Sequence, residues 1–358
     1  MDWRYNRHGG SAVADPVVPE TFSRFCARSG SDSGVTRDGC PSSVAGARGI
    51  LAETPPLHSN QKRRVTAAPG IFAPVPAGGG RAPRQPARVR VAVAMPGAET
   101  FRASADAYDR FVGRYGPELA TSLIDSAGLE PGMRTLDVGC GPGALSAKLV
   151  ERLGAESVSA TDPSAPFVDA CRARLPGVDV LEAPAEALPF ADRAFDAVLS
   201  QLVVNFMHDA EAGVREMARV TRPGGIVASC VWDYGGEMTL LRAFWDAARE
   251  VVPERAAAAD EGVVMLWCAE GELAELWHVA DLRSVHFASL VASAKYADFE
   301  DLWSPLPTGV GPAGAFCKSL EENDRAALRD AYRRRLGVGD GPFELTARAW
   351  SVVGRVPS

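Results

Sequence analysis

Residues 134–146 (RTLDVGCGPGALS) restrict what this chain can fold into more than any other stretch. Thr135, Leu136 and Val138 form an apolar, β-branched run, the pattern of a buried parallel strand. Three glycines follow at alternate positions, Gly139, Gly141 and Gly143. Leu145, Leu149, Val150 and Leu153 then recur at helical spacing, and Gly154 ends the helix. Strand, glycine turn and helix make the first half of a nucleotide-binding βαβ unit. Glycine suits such a turn because the backbone needs angles that a Cβ disfavours. It also lets a ligand lie against bare backbone. The N–H groups at the helix start then face that ligand. Gly139, Gly141 and Ala144 also fit G-x-G-x-x-G/A, so the loop by itself leaves a dinucleotide open.

The first 94 residues differ from the rest. They hold 11 Gly and 10 Pro, and 13 Lys and Arg against 6 Asp and Glu, although the whole chain carries −7. Apolar residues there recur with neither structural period, so too little surface could be buried to offset the ordering entropy. Residues 1–94 are therefore expected to be a disordered extension, with Met95 as the natural start. Residues 95–358 are expected to be the folded domain, with a core at 116–235 and a lid plus terminal strands at 236–358. That domain is strongly acidic, which argues against nucleic acid as partner. No stretch reaches the roughly 20 apolar residues of a membrane span. The 7 cysteines show neither a CxxC pair nor His/Cys ligand spacing, so a cytoplasmic protein without a metal site is expected.

Within the domain, Tyr108, Phe111, Val112 and Tyr115 at i, i+3, i+4 and i+7 predict an amphipathic helix over residues 106–115. Tyr108, Arg110 or Arg114 could hold a ligand carboxylate from there. Strands are expected at 157–161, 178–181, 195–201 and 226–232, alternating with helices at 144–153, 167–175 and 210–220. Such alternation predicts an α/β fold with a parallel sheet and helices on both faces. Asp162 follows the second strand, 23 residues after Gly139 and near the ~20 expected of a carboxylate that accepts both ribose hydroxyls. Ser164 is expected to cap the next helix, leaving Asp162 for a ligand. Beyond Trp232 come helices at 238–251 and 271–280, a strand at 282–290, helical sequence over 297–337 and a last strand at 344–356. The two final strands are expected to pair antiparallel at the sheet edge.

Taken in order, YDRFVGRY (108–115), LDVGCGPGALS (136–146), TDPS (161–164), AEALPF (185–190), FDAVLSQ (195–201) and REMARVTRPGG (215–225) resemble a class I S-adenosylmethionine-dependent methyltransferase. The resemblance covers about residues 100–356 and is nearest to the ubiquinone/menaquinone-biosynthesis type and related small-molecule enzymes. It implies a Rossmann-like, seven-stranded, mostly parallel sheet with an antiparallel last strand and a helical lid. It also implies S-adenosylmethionine as cofactor. Gly139, Cys140, Gly141 and Gly143 would border the methionine part and Asp137 would reach its amino group. Asp162 would hold the ribose, with Pro163 against adenine and the Ala185 N–H at the adenine edge. Gln201 would line the methyl-donor end. Pro184 stands where the family often has an acidic residue, so Glu182 or Glu186 would supply that contact instead. Asp281 stands at a helix end where glycine is usual.

A sulfonium methyl is already electrophilic, so the protein needs only to align it with a nucleophile in a dry pocket. His208 is the candidate base, with Tyr108 and His286 behind it. Trp232, Phe244, Trp245, Phe299 and Trp303 are candidates to shape an apolar or aromatic acceptor pocket or to be plain core. Two other readings stay open. One is an NAD(P)-dependent oxidoreductase, for which a second nucleotide half and a Tyr-x-x-x-Lys are missing. The other is a methyltransferase-like binding protein without turnover.

Overall fold

The computed structural model describes residues 105–358. The expectations for residues 1–94 and for a start at Met95 lie outside the described residues. Seven strands form one sheet in the order β3-β2-β1-β4-β5-β7-β6. β1 is Thr135–Val138, and all four of its residues are buried. β2 (Val158–Asp162) and β4 (Phe195–Gln201) flank it, both parallel to it. β3 (Asp179–Glu182) and β5 (Thr221–Trp232) extend the parallel run on either side. β7 (Phe343–Arg355) alone runs against its neighbours, between β5 and the edge strand β6 (Arg283–Tyr296). The sheet is thus Rossmann-like, with the strand order reversing between β1 and β4. Open α/β sheets offer a crevice beyond the carboxyl ends of their strands at such a reversal.

Local chemistry sets the helix boundaries. α1 (Ala105–Arg110) stops short of the expected length, and a 3₁₀ turn, Val112–Tyr115, follows it. The break falls where Gly113 and Gly116 weaken the helix, and a Cβ at Gly113 would come within 2.9 Å of the Tyr108 carbonyl. α2 (Gly116–Ala127) ends on Gly128 at φ +66, whose N–H caps the Ile124 and Asp125 carbonyls. α3 (Ala144–Leu153) follows the glycine turn and packs on α2. α4 (Ala165–Arg174) links β2 to β3. α5 (Ala210–Val220) is capped by Asp209, whose side chain accepts from the Ala212 N–H at 2.9 Å.

After β5 comes α6 (Thr239–Val251), then α7 (Pro253–Ala259) and α8 (Glu261–Val264) where a loop was expected. α9 (Glu272–Val279) leads to Asp281, which adopts φ +62, the left-handed angle that glycine usually supplies. β6 runs six residues past its expected end. Ala292, Ala294 and Tyr296 alternate inward there, but small alanines give a weak period-2 signal. The helical stretch over 297–337 divides into α10 (Phe299–Trp303), a 3₁₀ turn, α11 (Gly311–Lys318) and α12 (Glu322–Leu336). Pro305, Pro307 and Pro312 lack the N–H a continuous helix needs, and Gly309 turns at φ +93. Phe244, Trp245, Phe299, Trp303, Phe316 and Tyr332 join these helices in one edge-to-face aromatic cluster. Four of the five aromatics weighed as acceptor-pocket walls are therefore core; Trp232 alone meets a cavity.

Candidate functional site

The glycine loop joins β1 to α3 at the strand-order reversal, and its three glycines do different work. Gly139, Gly141 and Gly143 all have positive φ (+75, +53 and +100). A Cβ on Gly139 would stand 2.5 Å from the Val203 side chain, and one on Gly143 would stand 3.0 Å from Cys171 Sγ. Only at Gly141 would a Cβ meet nothing within 4 Å. Bare backbone is thus open to a ligand at Gly141, whereas Gly139 and Gly143 are required by packing. Gly143 does not line the cavity.

A cleft of about 1030 Å³, counting its open mouth, lies against this loop. Its walls include Tyr108, Asp137, Gly139, Cys140, Gly141, Asp162, Pro163, Ala185, Glu186, Gln201 and His208. The strand ends bring these residues together from across 100 positions of sequence. Pro142, Ser164, Phe167, Pro184, Leu202, Val203, Phe206 and Met207 complete the lining. Nothing in the sequence marks the 202–207 segment as part of the site, because its role depends on Leu202. That residue has φ +64, an uncommon angle for a branched side chain, and it bends the chain back after β4.

Asp137 is fully buried at the mouth of β1. Its Oδ2 accepts from the Ser146 hydroxyl at 2.6 Å, while Oδ1 has no hydrogen-bond partner. Burial raises its pKa to about 7, with the nearby Asp162 charge adding to the effect and the Ser146 bonds opposing it. Asp162 accepts from the Ser164 N–H (2.8 Å) and from the Gly141 N–H (2.9 Å), and burial raises its pKa to about 6. This corrects the expected division of labour. Ser164 makes no side-chain cap, and Asp162 performs the turn itself while bracing the glycine loop. Each carboxylate oxygen keeps a further lone pair for a ligand.

Gln201 donates to the Gly116 carbonyl at 3.3 Å, and its Oε1 is buried without a partner. Glu186 accepts from the Asp209 N–H at 3.2 Å from the cleft wall, while Glu182 does not line it. The Cys140 thiol is held far above its ordinary range by a hydrogen bond with Cys171 and by burial, so it packs as a neutral thiol. Burial likewise keeps the Tyr108 phenol protonated. His208 sits exposed at the rim, and His286 lies exposed on β6 outside the cleft. Arg114 does not reach the cleft. Its guanidinium is paired with Asp301 and lies 4.9 Å over the Tyr296 ring, so it joins α1 and α2 to the far end of β6 rather than holding a ligand. Among the described residues, no His, Cys, Asp or Glu cluster could hold a metal ion, and no helix is long and apolar enough to cross a membrane.

A family model described as a methyltransferase domain matches residues 136–229, which run from β1 into β5. An uncharacterised methyltransferase of Mycobacterium tuberculosis is 37% identical over 134 residues, 37% of this chain and 52% of that protein. The ubiquinone/menaquinone biosynthesis C-methyltransferase of Stenotrophomonas maltophilia is 40% identical over 109 residues, 28% of this chain and 43% of its own. The malonyl-[acyl-carrier protein] O-methyltransferase of Serratia marcescens is 32% identical over 160 residues, 43% of this chain and 60% of its own. The chain thus spans about half the length of the curated relatives it matches. The glycine loop, the strand ends that carry Asp137 and Asp162, and Gln201 all fall inside residues 136–229, the segment that matches the methyltransferase domain.

Proposed function

We propose that this protein transfers a methyl group from S-adenosylmethionine to a small-molecule acceptor. Asp137 carries the proposal: a fully buried carboxyl on the cleft wall whose Oδ1 has no partner within the protein. Such a group costs several kcal/mol unless a donor or a cation meets it. A ligand with an ammonium and a sulfonium supplies that counterpart. The second carboxyl, Asp162, lies close enough to raise the Asp137 pKa, which adds to the preference for a positive ligand.

In this reading Asp137 orients the amino group and Asp162 receives the ribose hydroxyls on its remaining lone pairs. Gly141 leaves room for the ligand to approach the backbone. Pro163 and Ala185 flank the base, and Glu186 stands in for the acidic neighbour that Pro184 replaces. Gln201 Oε1 faces the donor end. When bound, the cofactor supplies a methyl already activated by its sulfonium. The protein's share is alignment and exclusion of water by Leu202, Val203, Phe206 and Met207. The acidic balance of the domain supports a small acceptor over nucleic acid.

Thermal shift and calorimetry with S-adenosylmethionine, its demethylated product and NADH test this reading. The first two are expected to stabilise the protein, and Asp162→Ala is expected to weaken both. Stabilisation by NADH alone would hand the site to the oxidoreductase reading.

A further inference from the structure

Beside the cofactor cleft lies a second chamber of about 420 Å³, counting its open mouth. Tyr108, Leu202 and Phe206 line both spaces, so the two meet along these three side chains. The chamber lining is mostly apolar and includes Phe111, Trp232, Leu241, Val310 and Ala313. One carboxyl breaks this pattern. Glu261, the first residue of α8, is 2% exposed and lines the chamber. Its Oε2 accepts from the Trp245 indole N–H at 2.9 Å, and no hydrogen bond engages Oε1.

The surroundings hold Glu261 in place without neutralising it. Its neighbour Asp260 takes the arginines: Arg242 and Arg249 each reach the Asp260 carboxylate at 2.7 Å. Asp260 also accepts from the Gly262 N–H at 2.9 Å, which fixes the turn that presents Glu261. An amide would satisfy Trp245 equally well, so the indole bond does not account for an ionisable group in an apolar wall. Burial holds the Glu261 pKa up at about 7. A buried carboxyl at that value exchanges its proton near neutral pH, the property of a group that meets a ligand donor. Tyr108, Tyr234 and Trp232 also line the chamber and carry hydroxyl and indole N–H groups.

We infer that the second chamber is the acceptor subsite and that Glu261 Oε1 receives the acceptor's N–H or O–H group. This rests on the methyltransferase reading of the outer cleft. The ligand class is a compact aromatic or aliphatic molecule with one such donor. The acceptor's lone pair forms the new bond to the methyl carbon, the carbon–sulfur bond pair leaves on the sulfur as S-adenosylhomocysteine, and the N–H or O–H proton passes to the Glu261 carboxylate. Glu261 therefore sets specificity as well as proton transfer, whereas His208 stands exposed at the outer rim and faces no enclosed acceptor.

Benzylamine, p-cresol and toluene test the inference as probes, titrated calorimetrically into the full chain with and without S-adenosylhomocysteine. At least one donor probe is expected to bind ten times more tightly than toluene, and which one does so separates an amine acceptor from a hydroxyl acceptor. Glu261→Gln is expected to abolish that preference while retaining S-adenosylhomocysteine binding. Ala313→Leu, which fills the chamber, is expected to reduce binding of every probe at least tenfold. Equal binding of all three probes, no probe binding, or a donor preference unchanged in Glu261→Gln overturns the inference. Failure of S-adenosylhomocysteine to bind the wild type sinks the methyltransferase reading instead, and the titrations without it then report on the chamber alone.

Discussion

The Asp162 carboxylate accepts from the N–H of Gly141 at 2.9 Å, so the group at the end of β2 and the turn at the end of β1 form one unit. Ligand contact and loop geometry cannot be changed separately there. Asp162→Asn exchanges one acceptor oxygen for a donor and leaves one buried N–H unmatched. A loss of about 1–3 kcal/mol of stability is expected, with at least a tenfold fall in S-adenosylhomocysteine affinity. Urea unfolding and calorimetry on the same preparation check both.

Gly139 and Gly141 separate packing from ligand access. Alanine at 139 brings left-handed strain and a 2.5 Å clash with Val203, so about 2–4 kcal/mol of stability should be lost. Adding Val203→Ala should restore part of it. Alanine at 141 meets open space and should cost only about 1–2 kcal/mol, yet it should lower cofactor affinity tenfold or more because its methyl enters the cleft. Equal effects at the two positions on both readouts would contradict this division.

Three buried carboxyls make stability fall as pH rises. Asp137, Asp162 and Glu261 release their protons at about pH 7, 6 and 7 in the folded chain, whereas unfolded Asp and Glu ionise near pH 4. Between about pH 4.5 and 7 the unfolded chain binds fewer protons, so each step up in pH favours it. Asp196, Glu216 and Asp301 are shifted downward, so their contribution acts in the opposite sense and most of it is in place by about pH 5. Without ligand the protein should be less stable at pH 7.5 than at pH 5, by several kcal/mol. S-adenosylmethionine, as a cation beside Asp137, should narrow that gap. Urea midpoints at the two pH values, with and without it, provide the measurement.

Arg114→Ala should leave cofactor affinity unchanged within twofold, because its partners are Asp301 and the Tyr296 ring rather than the cleft. The pair is partly exposed, so a stability loss of about 1 kcal/mol is expected. A large loss of cofactor affinity would return Arg114 to the site.

The sheet and most of the cleft were legible because they depend on patterns that chain order preserves. Apolar runs marked β1, β2, β4 and β5, and the spacing from Gly139 to Asp162 pointed to two strand ends that meet. What stayed hidden depends on angles and distant partners. Leu202 carries no sequence mark of its positive φ, though that bend aims the 202–207 segment into the cleft. Glu261 lay in what read as loop, and its meaning requires Trp245 and the arginines that Asp260 absorbs. Arg114 read as a ligand group because a basic residue on an aromatic helix face looks the same whether its partner is a ligand or Asp301. Ser164 read as the cap because the sequence cannot show that Asp162 reaches the Ser164 N–H first.

The reversed strand β7 pairs with β5 over seven residues and with β6 over twelve. β6 is synthesised some fifty residues earlier, yet it has no partner in the sheet until β7 arrives. During translation it therefore waits as an unpaired ribbon, held only by helices such as α2 and α9. Chain lost from residue 343 onward would strand β6 and uncover β5 at once, exposing one edge of β5 and both edges of β6 where that end of the finished sheet exposes only the outer edge of β6.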